Sequence, residues 1–142
     1  MNRSNCCTAR LLSDEQAEAV DVEKLTAFLR SPLAEKLRRA ENVLREYPFA
    51  LLVSAQMYDP TLDAEEQMLL QGVVDCCCEI DGELTVVDFK TDRVRADEVA
   101  ERAEVYRPQL DAYAAALSQV LEKEVKHKIL YFFEQNCEIS LK

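Results

Sequence analysis

Two glycines, Gly72 and Gly82, are all that the 142 residues contain. Neither a Walker A loop nor a GxGxxG turn can be built from them, so a glycine-rich phosphate cradle is excluded. One histidine is present, His127. No apolar run reaches the ~18 residues that a membrane span needs, and the opening residues do not read as a secretory signal. Basic residues are scarce: 17 Lys and Arg stand against 27 Asp and Glu, a net charge of −10. That balance argues against a free-standing nucleic-acid binder, because phosphate contacts need clustered cations. Six cysteines occur, at Cys6, Cys7, Cys76, Cys77, Cys78 and Cys137, with no CxxC pair. Neighbours in a strand point to opposite faces, so Cys76-Cys77-Cys78 cannot all grip one metal. They read as small apolar filler in a reducing cytosol. The composition supports packing, since 49% of the residues are hydrophobic. The length suits one domain with a sizeable core.

The first third reads as helices. Ser13 with Gln16 three residues on is a capping box, Asp21 caps a second helix carrying Leu25, Phe28 and Leu29, and Ser31-Pro32 opens a third. Pro48 is expected to end this helical lead-in, giving a boundary at 1–47 and a core at 48–142. Phe49–Val53 is then a short buried strand, and a loop follows around Asp59-Pro60. Strands run from about Leu69 to Ile80 and from Glu83 to Lys90, joined at Asp81-Gly82, the strongest short-range hairpin signal. A helix from Asp97 to about Val105 stops before Pro108, which starts a new helix with Leu110, Tyr113 and Leu117. Val125–Phe133 is the last long strand, with a short one near Glu138–Leu141. The order predicts a mixed α/β domain.

The hairpin carries the chemistry. If Asp81-Gly82 is a two-residue turn, Ile80 faces Glu83, and Asp75, five residues before Ile80, lies opposite Asp88, five after Glu83. Opposed residues share a face with Cβ atoms roughly 4.5–5.5 Å apart. Lys90, two residues past Asp88, shares that face. Two like charges so placed cost ~0.2–1 kcal/mol in an exposed sheet and more when buried. Between Val73-Val74 and Thr85-Val86-Val87 the pair calls for a compensating partner, and a divalent cation held by oxygens is the natural one. With Lys90 alongside, such a group suits metal-assisted phosphodiester cleavage. The residues alone leave a plainer reading open, in which Asp75 is an edge charge and Asp88–Lys90 a solvated pair.

Gln71-Gly72-Val73-Val74-Asp75, Val87-Asp88-Phe89-Lys90-Thr91-Asp92 and Tyr106-Arg107-Pro108-Gln109-Leu110-Asp111-Ala112-Tyr113 resemble, in order, the C-terminal nuclease domain of AddA-type helicase–nucleases. That domain belongs to the RecB-like branch of the PD-(D/E)XK nuclease superfamily. Arg45-Glu46-Tyr47-Pro48-Phe49 and Ile129–Phe133 fit the same family, and the resemblance runs from about Leu11 to the C-terminus. It implies one nuclease domain over 1–142, α/β in class, with a restriction-endonuclease-like mixed sheet flanked by helices. It also implies DNA cleavage with Mg²⁺, for which Mn²⁺ can substitute. Asp75, Asp88 and the main-chain carbonyl of Phe89 would be metal ligands, and Lys90 would position the attacking water or stabilise the transition state. Gln109 and Tyr113 match the family's QxxxY pair and, four apart, share one helical face. Glu46 would support the metal site or bind a basic side chain. The parent would be a cytoplasmic exonuclease that resects double-strand breaks for recombinational repair. Its partners would be DNA, its own helicase domains and an AddB-like subunit, with no membrane involved.

The sequence departs from the family in one respect. The family's histidine ligand lies on a helix upstream of the Arg-Glu-x-Pro-Phe segment, and no histidine precedes Arg45 here. His127 reads as a strand histidine between Lys126 and Lys128 rather than a ligand. The chain is therefore expected to be an N-terminally truncated fragment, weak or inactive as a nuclease and a poor DNA binder alone. Its cysteine positions do not suit the iron–sulfur cluster of the AddB-like subunit. Two other readings stay open: a non-catalytic module of this fold that docks a partner subunit or DNA, and an unrelated acidic α/β interaction domain.

Overall fold

The computed structural model describes residues 13–142, so Cys6, Cys7 and the start of the family resemblance near Leu11 lie outside the described residues. Three short helices lead: α1 (Asp14–Ala19), α2 (Val22–Leu29) and α3 (Pro32–Arg39). Each begins at the expected cap. Gln16 N–H donates to Ser13 Oγ while Ser13 N–H donates to Gln16 Oε1; Lys24 N–H donates to Asp21 Oδ1, and Ala34 N–H to Ser31 Oγ. These bonds satisfy amides that the first helical turn leaves unpaired.

Strands β1 (Glu41–Ser54), β2 (Gln67–Ile80) and β3 (Glu83–Lys90) follow, then helix α4 (Val99–Val120), β4 (Val125–Phe132) and β5 (Cys137–Leu141). They form one sheet in the order β1-β2-β3-β4-β5. Only β3 and β4 run parallel, with α4 as the crossover between them. The β2–β3 turn is the expected one: Asp81 and Gly82 have φ of +52° and +80°.

Three expectations about the elements need correction. Phe49–Val53 is not a short buried strand: it is part of the 14-residue β1, and within it only Phe49 is buried while Leu52 is exposed. The sequence pattern puts the end of the helical lead-in at residue 47, but α3 stops at Arg39 and β1 begins at Glu41. Pro48 lies inside this strand, paired with Val73. It is tolerated because β1 is an edge strand, where a missing N–H need not face a neighbour. Likewise Pro108 does not start a new helix but sits inside α4. It removes the bond to the Glu104 carbonyl, yet both halves of α4 are pinned to the sheet. Val99, Ala103 and Leu110 pack with Leu130 and Phe132, whereas Ala116 and Leu117 pack with Val74, Cys77 and Val86. Burial of two apolar stretches outweighs the ~3 kcal/mol that an interior proline costs.

The sheet thus has one face under α4 and another under α2 and α3, where Leu33 meets Cys76, Cys78, Val87, Ile129 and Tyr131. Cys77 faces α4 while Cys76 and Cys78 face α3, as alternation demands. At one place alternation fails on two strands together. Leu44 and Tyr47 of β1, and Val74 and Cys77 of β2, share the α4 side although each pair is three residues apart. The partners remain Leu44 with Cys77 and Tyr47 with Val74, so the strands shift in step. The step falls at Glu46, with φ of +47°, and Asp75.

Candidate active site

Strand pairing between β2 and β3 follows the expected register from Ile80–Glu83 to Cys76–Val87 and then ends. The expected opposition of Asp75 and Asp88 on one face is not formed: the strands part at that position, and Asp75 lines the α2–α3 side while Asp88 and Lys90 face α4. Because β2 steps at Asp75, its side chain turns into the seam, and Oδ2 accepts the Phe89 N–H at 2.9 Å. The carboxylate takes the place that a β2 carbonyl would hold in a longer ladder. Asp75 also lines a cleft of about 350 Å³ under α2 and α3, together with Arg38, Arg45, Cys76 and Phe89.

Asp88 is 3% exposed, between Val87 and Phe89 and paired with Leu130 of β4. Burial pushes its pKa up, Lys90 pulls it down, and the charges of Asp75 and Asp92 raise it again. The charge of Asp75 acting on Asp88 marks the two as electrostatic neighbours. Lys90 Nζ stands 2.6 Å from Asp88 Oδ2. That oxygen nevertheless has no partner at hydrogen-bonding angles, so the contact is ionic and a buried acceptor site stays open.

Lys90 reaches onward to α4. Its ammonium donates to Gln109 Oε1 at 3.0 Å, and Gln109 Nε2 donates to Tyr113 Oη at 2.8 Å. Tyr113 is fixed by an edge-to-face contact with Phe49, ring centroids 5.7 Å apart. Gly72 leaves room for both rings: a Cβ there would sit 3.1 Å from Phe49 Cε1 and 3.3 Å from Tyr113 Cε1. Asp88, Lys90, Gln109 and Tyr113 therefore form one connected row from β3 to α4, with Asp75 and Phe89 at its β2 end.

Glu46 sits across from Asp75 on β1 and makes no ion pair among the described residues. His127 lies at the other end of β3, its Nε2 2.6 Å from Glu83 Oε2. Among the described residues no group of three or more His, Cys, Asp or Glu side chains could hold a metal. The acidic donors at the seam are two carboxylates. Two residues given no role by sequence reasoning join the row. Tyr106 lies under Lys90 Nζ, 4.0 Å from its ring centroid, and its hydroxyl donates to Asp92 Oδ2 at 2.5 Å. A signal existed, since Tyr106, Gln109 and Tyr113 recur at i, i+3 and i+7, one face of a helix.

A family model described as the PD-(D/E)XK nuclease superfamily matches residues 3–140. The chain belongs to that superfamily. Nucleases of this superfamily generally use divalent metal ions. The chain is also similar to three proteins named as subunits of an ATP-dependent helicase/nuclease. Identity is 39% over 142 residues for the Bacillus cytotoxicus protein, 36% over 139 for that of Bacillus pumilus and 38% over 140 for that of Bacillus cereus. Each match covers 92% of this chain and 11% of the relative, so the chain spans about a tenth of the length of these proteins. It is a nuclease domain homologous to that stretch of them. No described helix is long and apolar enough to cross a membrane.

Proposed function

We propose that this chain is the Mg²⁺-dependent DNA exonuclease domain of an ATP-dependent helicase–nuclease, one that resects double-strand breaks in the cytoplasm for recombinational repair. The observation that carries the reading is the buried Asp88 Oδ2, which faces a cation yet has no hydrogen-bond partner. Lys90 compensates one of the two carboxylates at this seam, and a divalent cation would compensate the other. The donor set suits a hard divalent cation: two carboxylates, with the Phe89 carbonyl on the same side of β3 as the N–H that meets Asp75. Mg²⁺ would be held by Asp75, Asp88 and Phe89, with Mn²⁺ as a substitute. Bound there, the cation supplies Lewis-acid stabilisation of the phosphate and lowers the pKa of water.

The chain's own groups do the rest. Phe89 N–H fixes the Asp75 carboxylate. Lys90 presents an ammonium where negative charge grows on the phosphate during attack. Gln109 orients that ammonium through its Oε1, and Tyr113 holds the Gln109 amide. DNA is the substrate. The expected partners are the parent's helicase domains and an AddB-like subunit. The far half of the β1–β2 hairpin supplies a surface for them, since Leu52, Leu69 and Val73 are exposed on its outer face.

Calorimetric titration of Mn²⁺ tests the proposal. Wild type is expected to bind one equivalent, weakly because only two side-chain ligands converge, and Asp75→Ala and Asp88→Ala are expected to lose at least tenfold in affinity. Equal binding by all three would refute it.

A further inference from the structure

We propose that Tyr106, clamped by Asp92, is a positioning residue that seats the Lys90 ammonium. The inference rests on reading Lys90 as the cation of the cleavage site. Lys90 Nζ has three neighbours: Asp88 Oδ2 at 2.6 Å, Gln109 Oε1 at 3.0 Å and the Tyr106 ring centroid at 4.0 Å. Of these only the ring is a broad, uncharged surface. A lysine side chain is flexible and gives up much rotamer freedom when fixed. Left to Asp88 alone, the ammonium would be free to pivot about a single ionic contact. The ring face and the Gln109 oxygen restrict that pivot and offer an alternative seat when Asp88 engages another cation.

The tyrosine is itself fixed. It lies on α4, three residues before Gln109, and its ring packs on Phe132 at a centroid distance of 6.4 Å. Its hydroxyl donates to Asp92 Oδ2, and Asp92 lies two residues beyond Lys90. The segment leaving β3 thus turns back to hold the ring that covers its own lysine. A phenol that donates to a carboxylate carries more electron density in its ring, which strengthens attraction for an ammonium. The same bond, followed by burial, pushes the Tyr106 pKa above its ordinary value and keeps the hydroxyl a donor.

The test reads Lys90 directly. A proton above an aromatic face is shielded, so the Lys90 ε-methylene resonance of the full chain, assigned with Lys90→Arg, is expected upfield of the other lysines. Tyr106→Leu should abolish the displacement. Tyr106→Phe should keep part of it, and Asp92→Ala should lower it to the Tyr106→Phe level with no further effect in the double variant. If Tyr106→Leu fails to fold, the three ring-retaining proteins decide. An undisplaced Lys90 in wild type, an unchanged displacement in Tyr106→Leu, or additive effects of Tyr106→Phe and Asp92→Ala would overturn the proposal. Mn²⁺ binding does not enter this readout, so a failed metal site and a failed lysine seat are told apart.

Discussion

Asp88 keeps a carboxylate directly after the buried run Leu84–Val87, and its surroundings explain what removing either partner of its ion pair does. Lys90→Met would strand a buried charge, a loss on the order of 3 kcal/mol. Asp88→Asn removes the charge itself and leaves Lys90 its contacts with Gln109 and Tyr106. Urea unfolding at pH 7 should therefore show Lys90→Met clearly destabilised and Asp88→Asn at least as stable as wild type; equal losses would show that the pair is structural. Cys77 makes a separate pH prediction. Burial, followed by the charges of Cys76 and Glu79, raises its thiol from 9.0 to about 11. Between those values the unfolded chain releases a proton that the folded chain retains. The stabilisation is thus complete below pH 9 and is lost as pH rises to about 11, by roughly 2–3 kcal/mol. The unfolding midpoint should fall less between pH 8 and 10.5 in Cys77→Val than in wild type; parallel profiles would mean that the thiol is not sealed from water.

At the level of elements, β1, β2 and α4 meet at Gly72, which lets Phe49 and Tyr113 close over the strand. Gly72→Ala would push those rings apart by a few tenths of an ångström, a typical overpacking loss of about 1–3 kcal/mol. It should also disturb Gln109 through Tyr113. Thermal unfolding should show the loss, and trimming the neighbour with Phe49→Leu should recover part of it. No change in Tm for Gly72→Ala would show that the rings give way freely. Much of this arrangement was legible in the sequence. The caps at Ser13, Asp21 and Ser31 and the Asp81-Gly82 turn are local chemistry, and the turn alone fixes the β2–β3 register. What escaped depends on neighbours. Pro48 reads as a boundary until β1 is known to be an edge strand, and Pro108 reads as a helix start until α4 is seen pinned at both ends. The step at Glu46 and Asp75 is tertiary too, since it requires two strands to shift together. Strict alternation would have aimed Asp75 at α4 instead of into the seam beside Phe89.

On the proposed function, an acidic domain must cleave a polyanion. The net charge of −10 gives it little attraction for DNA on its own, so delivery falls to the rest of the proposed parent. The basic groups near the site are few and local: Lys90 on one side, with Arg38 and Arg45 lining the cleft that Asp75 shares. On the proposed function, the seam between β2 and β3, and no other acidic surface, receives the metal. Paramagnetic broadening by substoichiometric Mn²⁺ in an amide NMR spectrum locates the ion, because the effect falls steeply with distance. The first signals lost are expected to be those of Asp75, Asp88, Phe89 and Lys90. Broadening centred instead on the acidic loop from Asp59 to Glu66, or spread evenly over the surface, would contradict that assignment.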